Sequence, residues 1–97
     1  MKSLGMIEVS GVTGAIDCLD IMCKSADVEF VTWERKLGGR LVTVIVQGNV
    51  SAVTAAVYNA VANGIVQPCA HAVIASPPEE TWRILQISAA RIAQKGR

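Results

Sequence analysis

At 97 residues the chain has room for one small domain and no second core. A formal net charge of +1 gives no field to hold nucleic acid, and no apolar run approaches the length of a membrane span. The 52% apolar content, rich in Ala, Val and Ile, is more than so small a monomer is expected to bury, so part of it should lie between subunits.

Met1-Lys2-Ser3 has no signal-peptide layout and leads directly into a strand pattern over residues 3–10, so the chain reads as cytoplasmic. Gly11 to Gly14 turns into a helix with Thr13 as expected N-cap and Asp17 near the positive end of its dipole. Ala15, Ile16, Leu19, Ile21, Met22 and Cys23 form its apolar face through about residue 25. A second strand is expected from Val28 to Trp33, then a loop over Lys36–Arg40 around Gly38-Gly39. Leu41 to Val46 is a continuous apolar run, the pattern of a strand buried on both faces. Asn49-Val50-Ser51 opens a second helix with Val53, Ala56, Val57, Ala60 and Val61 at helical spacing, closed by Asn63-Gly64. Ile65 to Ala75 reads as a fourth strand limited by Pro68, and Ser76-Pro77-Pro78 breaks it. Glu79 to Gln94 is the last helix, with Trp82, Leu85, Ala89, Ile92 and Ala93 as its apolar side. Glu79 and Glu80 at its start, and Arg91, Lys95 and Arg97 at its end, suit the helix dipole. The order β-α-β-β-α-β predicts an α+β, ferredoxin-like split arrangement with a C-terminal helix.

Chemistry is sparse. The single His71 has no Ser or acid at a suggestive spacing, and the carboxylates of the first third read as solvated groups or helix-start residues. Gly38-Gly39 matches neither a P-loop nor a dinucleotide fingerprint. Three cysteines without a CxxC pair argue against a disulfide framework, and with one His they are too scattered for a metal. Cys18 and Cys23 are read as small core residues, while Cys69 and His71 would share one face of the fourth strand. RNA recognition on the sheet would need exposed aromatics, and the third strand has none. No enzyme and no cofactor are expected.

Three blocks carry a resemblance. Leu4-Gly5-Met6-Ile7-Glu8-Val9, Gly11-Val12-Thr13-Gly14-Ala15-Ile16 and Lys24-Ser25-Ala26-Asp27-Val28 resemble the opening of the single-domain, hexamer-forming shell proteins of bacterial microcompartments. Leu41 to Val50, with the alanine-rich helix after it, is similar to their central strand and second helix, and His71 to Pro77 to their last strand and its exit. The resemblance implies a microcompartment (BMC) domain over residues 1–78 and a helical extension over 79–97. It implies six copies in a flat hexagonal tile, tiles packed edge to edge with other shell proteins around enclosed enzymes, and a sixfold pore for small polar or anionic metabolites. By the same resemblance the pore loop is Leu37, Gly38, Gly39 and Arg40 with Lys36 adjacent. This chain has one residue more than the usual loop between Trp33 and Leu41, which leaves Gly39 or Arg40 at the family's small polar position. Lys24 matches the family's edge lysine, and Ser76 stands where an arginine is usual. The final helix is left either on a tile face or against an enclosed enzyme. Two other readings stay open at this point: a ferredoxin-like oligomer binding an anion at the glycine loop as a ligand-binding or regulatory protein, and a redox variant holding a metal or cluster at Cys69.

Overall fold

A computed structural model describes residues 2–95, with side chains through residue 92. The elements are β1 (Ser3–Ser10), α1 (Val12–Ser25), β2 (Glu29–Lys36), a one-turn 3-10 segment (Leu37–Gly39), β3 (Leu41–Gly48), α2 (Val50–Asn63), β4 (Ala70–Ile74) and α3 (Glu79–Lys95). The strands form one antiparallel sheet in the order β2-β3-β1-β4, so β3 lies between β2 and β1 although α1 alone joins those two in sequence. This is the ferredoxin-like arrangement expected from the element order.

Alternation in β1 divides the core between the two faces of the sheet. Ile7 and Val9, with Val42, Val44 and Val46 of β3, pack beneath α1 and α2, which contribute Ala15, Cys18, Met22, Val53, Ala56, Val57 and Ala60. Gly5 lies on that face because α2 comes close. A Cβ there would stand 2.7 Å from Val53 Cγ1 and 3.0 Å from Val57 Cγ2. The opposite face carries Leu4 and Ile45, covered by Leu85 of α3, with Met6, Val31 and Trp82 partly buried around them. The apolar run of β3 is therefore buried from both sides, as its composition implies.

α2 begins as its sequence predicts, with Asn49 Oδ1 accepting from the Ala52 N–H at 2.8 Å. At α1 the expectation fails. Thr13 lies inside the helix and the cap position is Gly11, whose N–H donates to Arg40 O. Asp17 is not a dipole partner either: its Oδ2 accepts the Ile65 N–H at 2.9 Å, tying the loop after α2 back to α1. Cys18 is fully buried, but Cys23 is exposed, because an offset of five residues rotates it past the buried stripe of a helix. β2 runs on through Lys36, which pairs with Leu41, so Lys36 ends a strand rather than opening a loop. β4 is shorter than predicted. Residues 65–69 stay outside it, consistent with Pro68 lacking an N–H for a ladder, and Cys69 attaches to the sheet by its own N–H to Glu8 O at 2.7 Å. The expected contributions of Ala93 and Lys95 side chains and of Arg97 lie outside the described residues.

Candidate functional site

The β2–β3 turn is where backbone conformation departs most from the ordinary. Leu37, Gly38 and Gly39 have φ of 54°, 67° and 90°, three left-handed residues in succession. Nothing lies within 4 Å of a Cβ built on Gly38, so glycine is needed there for conformation and not for space. Leu37 has no such freedom and holds the conformation at a cost, with its side chain 66% exposed. Arg40 returns to the right-handed region at φ −77°, ψ −18°. Its backbone N–H and its Nε both donate to Leu37 O, at 3.4 and 3.1 Å, and its own carbonyl accepts from Gly11 N–H at 3.0 Å. The turn is thus braced internally and pinned to the start of α1. Lys36 and Arg40 are exposed, and neither pairs with a carboxylate among the described residues.

The pairing register shows which other predicted residues share this end of the sheet. Ser10 lies opposite Leu41, and Leu41 opposite Lys36. At the other end Ser3 meets Gly48, Leu4 meets Ile74 and Gln47 meets Glu29. Lys24 closes the helix that feeds β2 at Glu29, and Ser76 follows Ile74 by two residues. Both therefore lie at the far end, about 23 Å from the turn along the eight residues of β1. Lys24 Nζ is 3.1 Å from Asp20 Oδ2 one helical turn back, and its side chain is 76% exposed. Ser76 has φ 48° and precedes a buried Pro77. The structure brings Leu37, Gly38, Gly39, Arg40 and Lys36 together, brings Lys24 and Ser76 to one end, and separates the two groups by the length of the sheet.

Sequence reasoning missed what α3 adds. Ser88, a polar residue on the buried side of the helix, reaches the Thr32 hydroxyl at 2.9 Å and donates to Glu34 Oε2. Arg91 Nη2 lies 3.4 Å from the same carboxylate oxygen. The period-3 spacing Leu85–Ser88–Arg91 was the available signal, but a serine in an apolar stripe gives no hint of its partner. This docking brings Arg91 and Ile92 beside Trp33, Glu34 and Arg35, where with Gly38 and Gly39 they line an open cleft of about 550 Å³ next to the turn.

Cys18 and Cys23 are not prepared for nucleophilic work. Burial pushes the Cys18 thiol pKa up, the Asp17 charge adding to it, and desolvation by the neighbouring protein and then the Asp20 charge do the same at the exposed Cys23. Cys69 Sγ is 3.9 Å from Ser10 Oγ. Among the described residues no three His, Cys, Asp or Glu side chains come together as metal ligands, and no helix is long and apolar enough to cross a membrane.

Residues 3–77 match the BMC domain. The chain belongs to the BMC domain family. Among its BMC relatives, the bacterial microcompartment shell protein PduA of Citrobacter freundii is 54% identical over 55 residues, which are 57% of this chain and 58% of PduA. The chain thus spans less than two thirds of the PduA it matches. The carboxysome shell protein CsoS1A of Hydrogenovibrio crunogenus is 42% identical over 89 residues, 86% of this chain and 88% of that one. A crystal structure of a microcompartment protein from Desulfitobacterium hafniense superposes at a TM-score of 0.78 over 91% of this chain and 48% of that chain. At 20% identity that likeness concerns the fold.

Proposed function

We propose that this BMC-domain protein is a structural component of a bacterial microcompartment shell in the cytoplasm, not an enzyme, and that six copies close into a tile with the Leu37–Arg40 turns around a central pore. The observation that supports it best is the polarity of the sheet: a rigid cationic glycine turn at one end, Lys24 and Ser76 at the other. A wedge with that layout fits a ring in which the turn meets the axis and the opposite end meets the next tile. Exposed Ile16, Phe30, Tyr58, Ile65, Ile84 and Ile87 are more apolar surface than a monomer needs, and ring closure would cover part of it without leaving an open patch.

Six turns of this kind would place backbone N–H groups and the Lys36 and Arg40 cations around one opening, which suits small anionic or polar metabolites. Arg40 is braced to Leu37 O, so its charge would stand at a fixed position in the rim. The domain over residues 1–78 would form the wall of the tile, with α3 as an extension on one of its faces. Other shell proteins would adjoin it through Lys24 and Ser76. Native mass spectrometry of the full chain should give a hexamer, and a stable monomer at micromolar concentration rules the reading out. Arg40→Glu should leave assembly intact and reduce permeability of reconstituted shells to anionic metabolites relative to neutral ones. Unchanged permeability contradicts the assignment of Arg40 to the rim.

A further inference from the structure

α3 turns one stripe onto the sheet and a second apolar one away from it. Leu85 and Ser88 are buried against the sheet, whereas Ile84 and Ile87 on the neighbouring flank are 67% and 57% exposed. A helix that covers a single sheet needs only the first stripe. The outer stripe is continued by charge at both ends. Glu80, Ile84, Ile87 and Arg91 follow at spacings of four, three and four residues, which keeps them in one line along the helix surface. Glu80 is exposed and has no cationic partner among the described residues. Arg91 reaches the Glu34 carboxylate through Nη2 alone, at 3.4 Å, with its side chain 61% exposed. The line thus begins negative, is apolar in the middle and ends positive. It is also symmetric, because the midpoint of Ile84 and Ile87 and that of Glu80 and Arg91 coincide between Leu85 and Gln86. An open recess of about 500 Å³ runs beside it, between these α3 residues and Glu34 and Lys36 of β2.

We propose that α3 pairs with the α3 of a second copy of this chain, antiparallel, about a twofold axis passing between Leu85 and Gln86. In that register Ile84 of each copy lies against Ile87 of the other, and Glu80 against Arg91. A parallel pair in register would instead oppose Glu80 to Glu80 and Arg91 to Arg91, so the charges select the antiparallel form. The contact is isologous and uses one patch twice. The recess beside the stripe gives the partner's isoleucines room to seat. Four residues a side are few beside the roughly 20–30 of a stable interface, so a single helix pair is weak. Where six copies stand in a ring, six pairs act together and would hold two rings face to face. That consequence rests on the proposed ring, but the helix pair itself does not.

The test uses the full chain with Cys23→Ser and Cys69→Ser, which leaves the buried Cys18 as its one native thiol. Ile84→Cys is placed in one such chain and Ile87→Cys in another, tagged at its N-terminus so that the mixed product has its own mobility. The two are co-expressed and oxidised in a glutathione buffer at high micromolar concentration. The mixed disulfide should exceed the sum of the two like-chain products, which random pairing would equal. Glu80→Arg in both chains opposes cation to cation twice in each pair and should lower the mixed product about fivefold. Gln86→Cys, exposed on another flank of α3, should give no product with either chain. The proposal is overturned if chains folded by circular dichroism give no mixed product, give it no more often than random pairing or Gln86→Cys does, or give it unchanged with Glu80→Arg. Sedimentation separates this from failure of the ring. A hexamer whose α3 helices do not cross-link overturns the pair and leaves the ring, while a cross-linking dimer keeps the pair and removes the ring.

Discussion

The two faces of the sheet are built on different principles. Beneath α1 and α2 the core is dry and tight: the buried side chains are apolar, and the closest approach is made possible by the missing side chain of Gly5. Beneath α3 three buried apolar residues are joined to a polar string, Thr32–Ser88–Glu34–Arg91, whose outer members are half-exposed. The dry face draws its stability from packing spread over several elements. The α3 face gains specificity of placement from hydrogen bonds that work only in one register. A domain can thus hold a rigid wall on one side and an accurately positioned accessory helix on the other.

The largest effect expected from that contrast is at Gly5. Gly5→Ala should cost about 3 kcal/mol in urea unfolding at fixed protomer concentration, because stiff β-branched valines meet the new methyl at 2.7 and 3.0 Å. A cost under 1 kcal/mol would mean that α2 can shift and that the dry face is looser than its geometry implies. Next comes Leu85→Ala, at about 2 kcal/mol, the low end for a buried leucine because the cluster around it is small and borders solvent. Its signature should be local: amides of α3 lose hydrogen-exchange protection while those of β1 and β3 keep theirs. Equal loss throughout would show one cooperative unit and erase the distinction between the faces.

Ser88→Ala should cost about 1–2 kcal/mol, since it strips the buried Thr32 hydroxyl and Glu34 of a shared partner. Combined with Thr32→Val the two losses should be less than additive, because the second change removes the group the first left unsatisfied. The smallest effects are those of pH. Burial raises the Cys18 thiol pKa, so its contribution is whole below the ordinary cysteine range and is lost as pH rises through the folded value. The Lys2 hydrogen bond lowers the Glu29 carboxyl pKa, so its contribution is present above the ordinary carboxylate range and fades as pH falls through the lowered value. The urea midpoint should therefore be level near neutrality. Its alkaline decline should be shallower in Cys18→Ala, and Lys2→Ala should lower the neutral plateau slightly, because that pair is exposed, with the difference vanishing in acid.

The same contrast governs what could be read from the sequence. The dry face is written in periodicity, and the alternation of β1, the run of β3 and the valine–alanine spacing of α2 each predicted their burial. The α3 side depends on polar atoms meeting across more than fifty residues, Ser88 with Thr32 and Glu34, and no local pattern announces such a meeting. Local chemistry also misled where two devices could serve the same end. Thr13 is a good N-cap residue, yet Gly11 takes the position because its N–H is needed by Arg40 O. The turn was legible as to place, from its paired glycines between two strands. Its conformation was not, since a left-handed leucine beside them contradicts residue preference and appears only once the bracing bonds to Leu37 O are seen.

That left-handed run separates frame from fitting. The path of the backbone through Leu37, Gly38 and Gly39 is set by dihedral angles that few residues tolerate, and it is pinned at Arg40 to the helix beside it. The Lys36 side chain, which takes no part in that bracing, can then be exchanged for a neutral one without redrawing the outline it decorates, whereas a change at Arg40 gives up one of the two bonds to Leu37 O. Variation in what such a turn attracts can accordingly proceed by single substitutions, while its shape is inherited whole.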